Sequence, residues 1–181
     1  MVATVVFVAC LSAVLSAEVS PDVQCNFTGP FSALRSVNGR GSGGYYLINT
    51  TENNRPNCTY VRAPEVRLTE GSREKFTYGQ LKKGQNVMRR HRGRVHVQGD
   101  MIIVTGKRAG ISQLLFSDYR TCDVVLGPSG HDYQLWLHAH NVQNGSDPCC
   151  DVKFQELVWN RTVFQVYHET CPPVPTPVRT L

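Results

Sequence analysis

The chain has 181 residues, with 19 Lys or Arg against 14 Asp or Glu, a formal charge of +5 and a hydrophobic share of 41%. That length and composition suit one domain with a sizeable core. A charge excess so modest, with one basic run and no recognised motif, argues against a nucleic-acid partner.

Residues 2–15, "VATVVFVACLSAVL", are uncharged and almost wholly apolar, and Ser16 and Ala17 give a small-residue exit before Glu18. The run is shorter than the roughly 20 residues that span a bilayer, so residues 1–17 read as a secretory signal peptide. No later segment is apolar for long enough to cross a membrane. Removing the signal removes Cys10 and leaves Cys25, Cys58, Cys122, Cys149, Cys150 and Cys171, an even set that predicts three disulfides in a secreted, extracellular protein. Adjacent cysteines cannot relax against each other, because neighbouring Cα atoms lie about 3.8 Å apart while a relaxed bridge wants roughly 5.5 Å. Cys149 and Cys150 therefore seek separate, distant partners. No C-x-x-C pair or finger-spaced His supports a metal site. Five N-x-S/T sequons, at Asn26, Asn49, Asn57, Asn144 and Asn160, predict a glycoprotein.

After a short helical stretch, "GPFSALRSV", and a flexible "NGRGSGG" connector, the texture turns to β. Short β-branched and aromatic runs separated by Gly, Asn, Asp and Pro predict strands at 45–51, 58–63, 74–81, 94–99, 100–106, 111–120, 122–127, 133–139 and 162–168. A helix interrupts them. Ser146 or Asp147 caps it, Pro148 suits its first turn, and Cys150, Phe154, Leu157 and Val158 form one apolar stripe. The tail from 172 to 181 is Pro-rich and reads as extended or disordered. About eight antiparallel strands with one late helix predict a closed barrel with the helix outside, able to hold one small ligand; a β-sandwich is the alternative.

The stretch "FSDYRTCDVVLG…YQLWL…DPCCDVKFQELV…VYHETC", with "YYLINTT…NCTYVRA" upstream, resembles the tick salivary lipocalins, the group that includes the histamine-binding proteins. The resemblance covers most of residues 18–171, and the cysteine spacing is its most specific part. It implies an eight-stranded lipocalin barrel with bridges Cys25–Cys149, Cys58–Cys171 and Cys122–Cys150. Amine-binding members are similar in carrying C-D-[VIL] and then E-L-W; here Cys122-Asp123-Val124 is followed by Gln134-Leu135-Trp136, so Asp123 is kept and the glutamate is an amide. A buried cation needs anionic partners, and the missing carboxylate turns the expectation toward a neutral guest. Gln134 and Trp136 share a strand face. If Asn49 carries glycan outward, Tyr46, Ile48 and Thr50 turn inward, and with Asp123 these side chains are the pocket candidates. Within the group, japanin-like members are glycosylated and basic. That likeness implies a sterol such as cholesterol, or a lipid, in the barrel and modulation of host immune responses such as dendritic-cell maturation. The alternatives are a scavenger of histamine, serotonin or a leukotriene, and a surface inhibitor of host complement or inflammation.

Other features carry less. The run Lys82–His96, "KKGQNVMRRHRGRVH", reads as a solvated hairpin tip or a surface for heparan sulfate or a host immune-cell protein. "GRGSGG" lacks the Lys-Ser/Thr ending of a phosphate loop. His138 and His140 alternate on one strand face without a third ligand nearby in sequence. No nucleophile or metalloprotease motif is present, so the expectation is a carrier without cofactor or catalytic residues.

Overall fold

The computed structural model describes residues 24–39, 43–107 and 109–176; the signal-peptide reading of residues 1–17, with Cys10, lies outside the described residues. Helix α1 (Ala33–Asn38) precedes eight strands: β1 (Gly44–Thr50), β2 (Tyr60–Arg62), β3 (Glu74–Leu81), β4 (Met88–Gln98), β5 (Met101–Thr105), β6 (Gly110–Ser117), β7 (Cys122–Leu126) and β8 (Tyr133–His138). Helix α2 (Pro148–Leu157) and a short β9 (Phe164–Gln165) follow. Each strand from β2 to β8 pairs antiparallel with the next, β8 returns to β1, and β1 also pairs with β2. The sheet is therefore a closed eight-stranded barrel, which leaves no long unpaired edge. β9 adds to β1 beside Asn49 and Thr50.

Local chemistry accounts for the meander. At the β4–β5 hairpin Gln98 pairs with Met101, leaving a two-residue turn whose first residue, Gly99, has φ of 59°; hairpin turns of this length require that left-handed conformation. Gly79 permits a close approach of β3 to β4, because a Cβ there would lie 1.8 Å from the Arg89 carbonyl oxygen. β4 starts at Met88 rather than at Arg94, so much of the basic run is strand and not hairpin tip. The register supplies the reason: Phe76 and Tyr78 of β3 face Gly93 and His91, so the apolar partners of the early half of β4 come from its neighbour.

α2 lies outside the barrel. Asp147 accepts from the Cys149 amide at 2.8 Å, Pro148 opens the helix, and Cys150, Phe154 and Val158 bury against Phe116, Val124, Leu135 and Leu137. α1 closes one end of the barrel: the Ala33 amide donates to Gly99 O, and Asn38 exchanges two hydrogen bonds with the Leu68 backbone at 2.8 and 2.9 Å. Three bridges join Cys25 to Cys149, Cys58 to Cys171 and Cys122 to Cys150, with Cα separations of 5.5, 5.5 and 6.4 Å. The adjacent cysteines thus fasten the start of α2 to the N-terminal segment and to β7. Residues 172–176 are extended, but they are strapped along the barrel: Tyr46 Oη donates to Pro172 O at 2.5 Å, Arg62 to Pro175 O at 3.5 Å and Arg90 to Thr176 O at 2.6 Å. The rest of the Pro-rich tail lies outside the described residues. Among the described residues no helix is long and apolar enough to cross a membrane.

Candidate functional site

The barrel interior holds two chambers that meet at Val61, Phe76, Val104, Ser112, Gln134 and Trp136. The inner one, of about 150 Å³, lies beneath α1, and Ser36, Val37, Tyr45, Val95, Ile102, Asp123 and Val125 complete much of its wall. The other, of about 570 Å³, runs toward the opposite mouth past Tyr60, Tyr78, Pro128 and the Glu52–Arg55 ion pair.

Strand register brings the polar groups of the inner chamber together. Asp123 on β7 stands directly opposite Trp136 on β8, and Val125 opposite Gln134, so all four share the inward face. Around Asp123 the wall is aliphatic and aromatic, and Ser36 Oγ donates to its Oδ2 at 2.9 Å. Burial pushes the Asp123 carboxyl up to about 6; the Ser117 and Ser36 hydroxyls oppose the shift and the Asp118 charge adds to it. Asp118 itself goes the other way: burial raises it, but the Thr121 hydroxyl and the amides of Cys122, Arg120 and Thr121 outweigh that and hold it below the usual carboxylate range. Burial, then the nearby charges of Asp123 and Asp118, push the Tyr45 phenol up. A largely apolar hollow with one carboxylate and two aromatic rings can pair with a charged group and cover apolar surface at the same time.

Gln134 cannot simply be read as a glutamate that lost its charge. Its Nε2 donates to Asp132 Oδ2 at 2.5 Å while its Oε1 accepts from Trp136 Nε1 at 2.9 Å. Asp132 is buried, and the Ser129 hydroxyl also donates to it. The amide is the one side chain that satisfies a carboxylate on one side and an indole N–H on the other. Restoring the glutamate would set two carboxylates against each other, so Gln134→Glu is expected to lower stability by about 2–4 kcal/mol without strengthening cation binding. Urea denaturation and calorimetric titration check both parts.

Of the sequence-predicted pocket residues, Asp123, Gln134 and Trp136 line the inner chamber; Tyr46 and Ile48 do not. A register shift between Leu47 and Asn49 is the cause. Before it, Tyr45 pairs with His138 and Leu47 with Trp136, placing the odd residues inside; after it, Thr50 pairs with Gln134 and the even residue is inside. Counting back by twos from Asn49 crosses that bulge and inverts the face. Tyr46 therefore points outward to Pro172 and meets Tyr167 in a tilted ring contact with centroids 4.9 Å apart, while Ile48 packs against the α2 cluster. Tyr45 is the aromatic that sequence reasoning missed, and no sequence pattern marks the bulge. His138 is buried against Tyr45, edge to face at 5.1 Å, with its ring pushed toward the neutral form by burial and by His140. No group of three metal-ligating side chains occurs among the described residues.

Residues 31–173 match the family model of the tick histamine-binding proteins. A solved structure described as an AM182 serotonin complex is 45% identical, covers 84% of this chain and 99% of its own, and superposes with a TM-score of 0.78. Japanin from Rhipicephalus appendiculatus, bound to cholesterol, shares the fold at 13% identity and a TM-score of 0.53, over 74% of this chain and 98% of its own.

Proposed function

The chain belongs to the tick histamine-binding protein family, a family of ligand-binding lipocalins, and from that premise we propose that its barrel captures a small aromatic monoamine of the serotonin class. Asp123 is the anion, Trp136 and Tyr45 supply faces for the ring, and Ser36 and Gln134 supply hydrogen bonds. The observation that carries this reading is the half-buried Asp123 carboxylate facing a chamber whose wall is largely apolar and includes one cation, Arg62. A cavity near 150 Å³ is of the order that accepts a single aromatic ring, so a two-ring amine would also extend past Gln134 and Trp136 into the adjoining chamber. The 45% identity to a protein crystallised with serotonin adds support.

The sterol expectation drawn from the sequence rests on a larger space. The two chambers together would have to hold it, so a sterol would run past the Gln134–Trp136 partition and either leave Asp123 without a partner or stop short of it. As a secreted, glycosylated carrier the protein would act stoichiometrically, removing mediator from host tissue and so dampening host inflammatory responses; no catalytic step enters this reading. Native mass spectrometry of protein from a lipid-rich source, followed by titration with serotonin, histamine and cholesterol, tests it. Saturable amine binding with micromolar or tighter affinity is the expected result. Retained sterol, together with no heat of amine binding, would overturn it.

A further inference from the structure

The β3–β4 register sorts the basic run into two faces. Val95 and Val97 bury in the core, so Arg90, Arg92 and Arg94 share the opposite, outer face of β4, whereas Arg89 alternates away from them. Cross-strand pairing then stacks cations on cations. Arg94 stands directly opposite Lys75, and Thr77, opposite Arg92, is flanked on its other side by Arg62. Like charges facing each other across a ladder are destabilising. Nothing relieves them: among the described residues the ion pairs are Glu52–Arg55 and Lys153–Glu156, both elsewhere, and the side chains of Lys75, Arg92 and Arg94 make no hydrogen bond. Arg62 and Arg90 donate to backbone carbonyls of the strapped tail, and Arg90 also meets the Tyr60 hydroxyl; none of these acceptors is an acid.

We infer that this outer band of β2–β4 is a docking surface for a sulfated glycosaminoglycan chain. The band is a track about three strands wide, with cations roughly 6.8 Å apart along β4 and about 4.8 Å between strands, dimensions that suit a linear polyanion. It is mostly arginine, whose planar fork meets a sulfate with two parallel hydrogen bonds. Threonine and glycine, not apolar side chains, lie between the cations on β3, so the band offers no anchor to sink into a bilayer. Lys75, Arg92 and Arg94 lie on the outside of the wall, away from the chambers, whereas Arg62 at the end of β2 is half-buried and also borders the inner chamber. A ligand-carrying barrel held there would stay in sulfated matrix rather than diffuse away.

The test is heparin affinity with the full mature chain, comparing the wild type with R92A/R94A and with R67A/R120A, which removes the same charge from exposed loop positions away from the band. The wild type and the loop variant are expected to be retained at physiological salt. R92A/R94A should elute at least about threefold lower in salt, with a shallower salt dependence, because fewer bound counterions are exchanged. Unchanged far-ultraviolet dichroism and monoamine titration of R92A/R94A separate this outcome from a folding defect, and from any failure of the monoamine reading. Equal elution of all three proteins, equal loss in both variants, or capture of the wild type by phosphatidylserine vesicles but not by heparin would overturn the inference.

Discussion

Asp123→Asn is expected to weaken monoamine binding by at least about 30-fold while making the ligand-free protein more stable at neutral pH. The two effects share one cause. The Asp123 carboxyl is pushed up to about 6, chiefly by burial, from a reference value of 3.8. A carboxyl raised in this way favours its protonated form in the folded state, so its contribution to stability is complete below about pH 4 and is lost as pH rises toward 6. Above pH 6 the ionised group costs the free protein about 3 kcal/mol. A bound ammonium offsets that cost by ion pairing, and truncating one member of a buried charge pair removes about 2–5 kcal/mol of affinity. Asparagine keeps the shape and an acceptor for the Ser36 hydroxyl but not the charge. Calorimetric titration at pH 7.5 should show the affinity loss. Wild-type affinity should fall about tenfold per unit as pH drops below the ligand-free pKa, while the variant's stays flat. Thermal scans should show the two ligand-free proteins converging near pH 4 and separating toward pH 7, with the variant higher by several degrees. A variant that binds as tightly as the wild type, or melts lower at pH 7, would remove Asp123 from the role given to it.

Much of this architecture is local in origin, and so it was legible. The caps and stripe of α2 sit within a dozen residues: Asp147 and Pro148 start it, and Cys150, Phe154 and Val158 bury. The alternation of Gln134, Leu135, Trp136 and Leu137 divides β8 between chamber and helix cluster, as a period of two requires. What sequence could not supply is phase across a defect. The bulge in β1 exchanges Tyr46 for Tyr45 at the cavity wall, and a bulge is settled by the strands on either side, not by the bulged residues. The Asp132–Gln134–Trp136 chain was hidden for a related reason. Taken alone, Gln134 reads as a charge deleted from the site. Beside a buried Asp132 it is the donor that the neighbouring acid needs. The sense of a polar residue inside a barrel depends on partners whose side chains converge only after closure.

Removing the Cys122–Cys150 bridge is expected to affect both stability and binding, whereas removing Cys25–Cys149 should affect stability alone. Their loops differ, spanning 28 and 124 residues. On chain entropy the longer loop contributes only about 1 kcal/mol more, since the dependence is logarithmic. Packing narrows that gap. Cys122 and Cys150 are both buried within the cluster of Phe116, Leu137 and Phe154, and each lost sulfur leaves a void comparable to a deleted methyl group, about 1 kcal/mol. Both double alanine variants should therefore lose about 3–6 kcal/mol, read as a lower urea midpoint. The consequence for the chamber separates them. Cys122 precedes Asp123 on β7, and its bridge ties that strand to α2; Cys25 ties down a segment without regular structure. In C122A/C150A, β7 and α2 lose their covalent link, amide exchange should rise across residues 149–157, and Asp123 should be held less firmly, with amine affinity falling several-fold at a temperature where the variant is folded. C25A/C149A should bind as the wild type does under the same conditions. Equal affinity loss in both variants would mean that the carboxylate is placed by the barrel as a whole. No loss in either would mean that the β7–β8 pairing alone holds it.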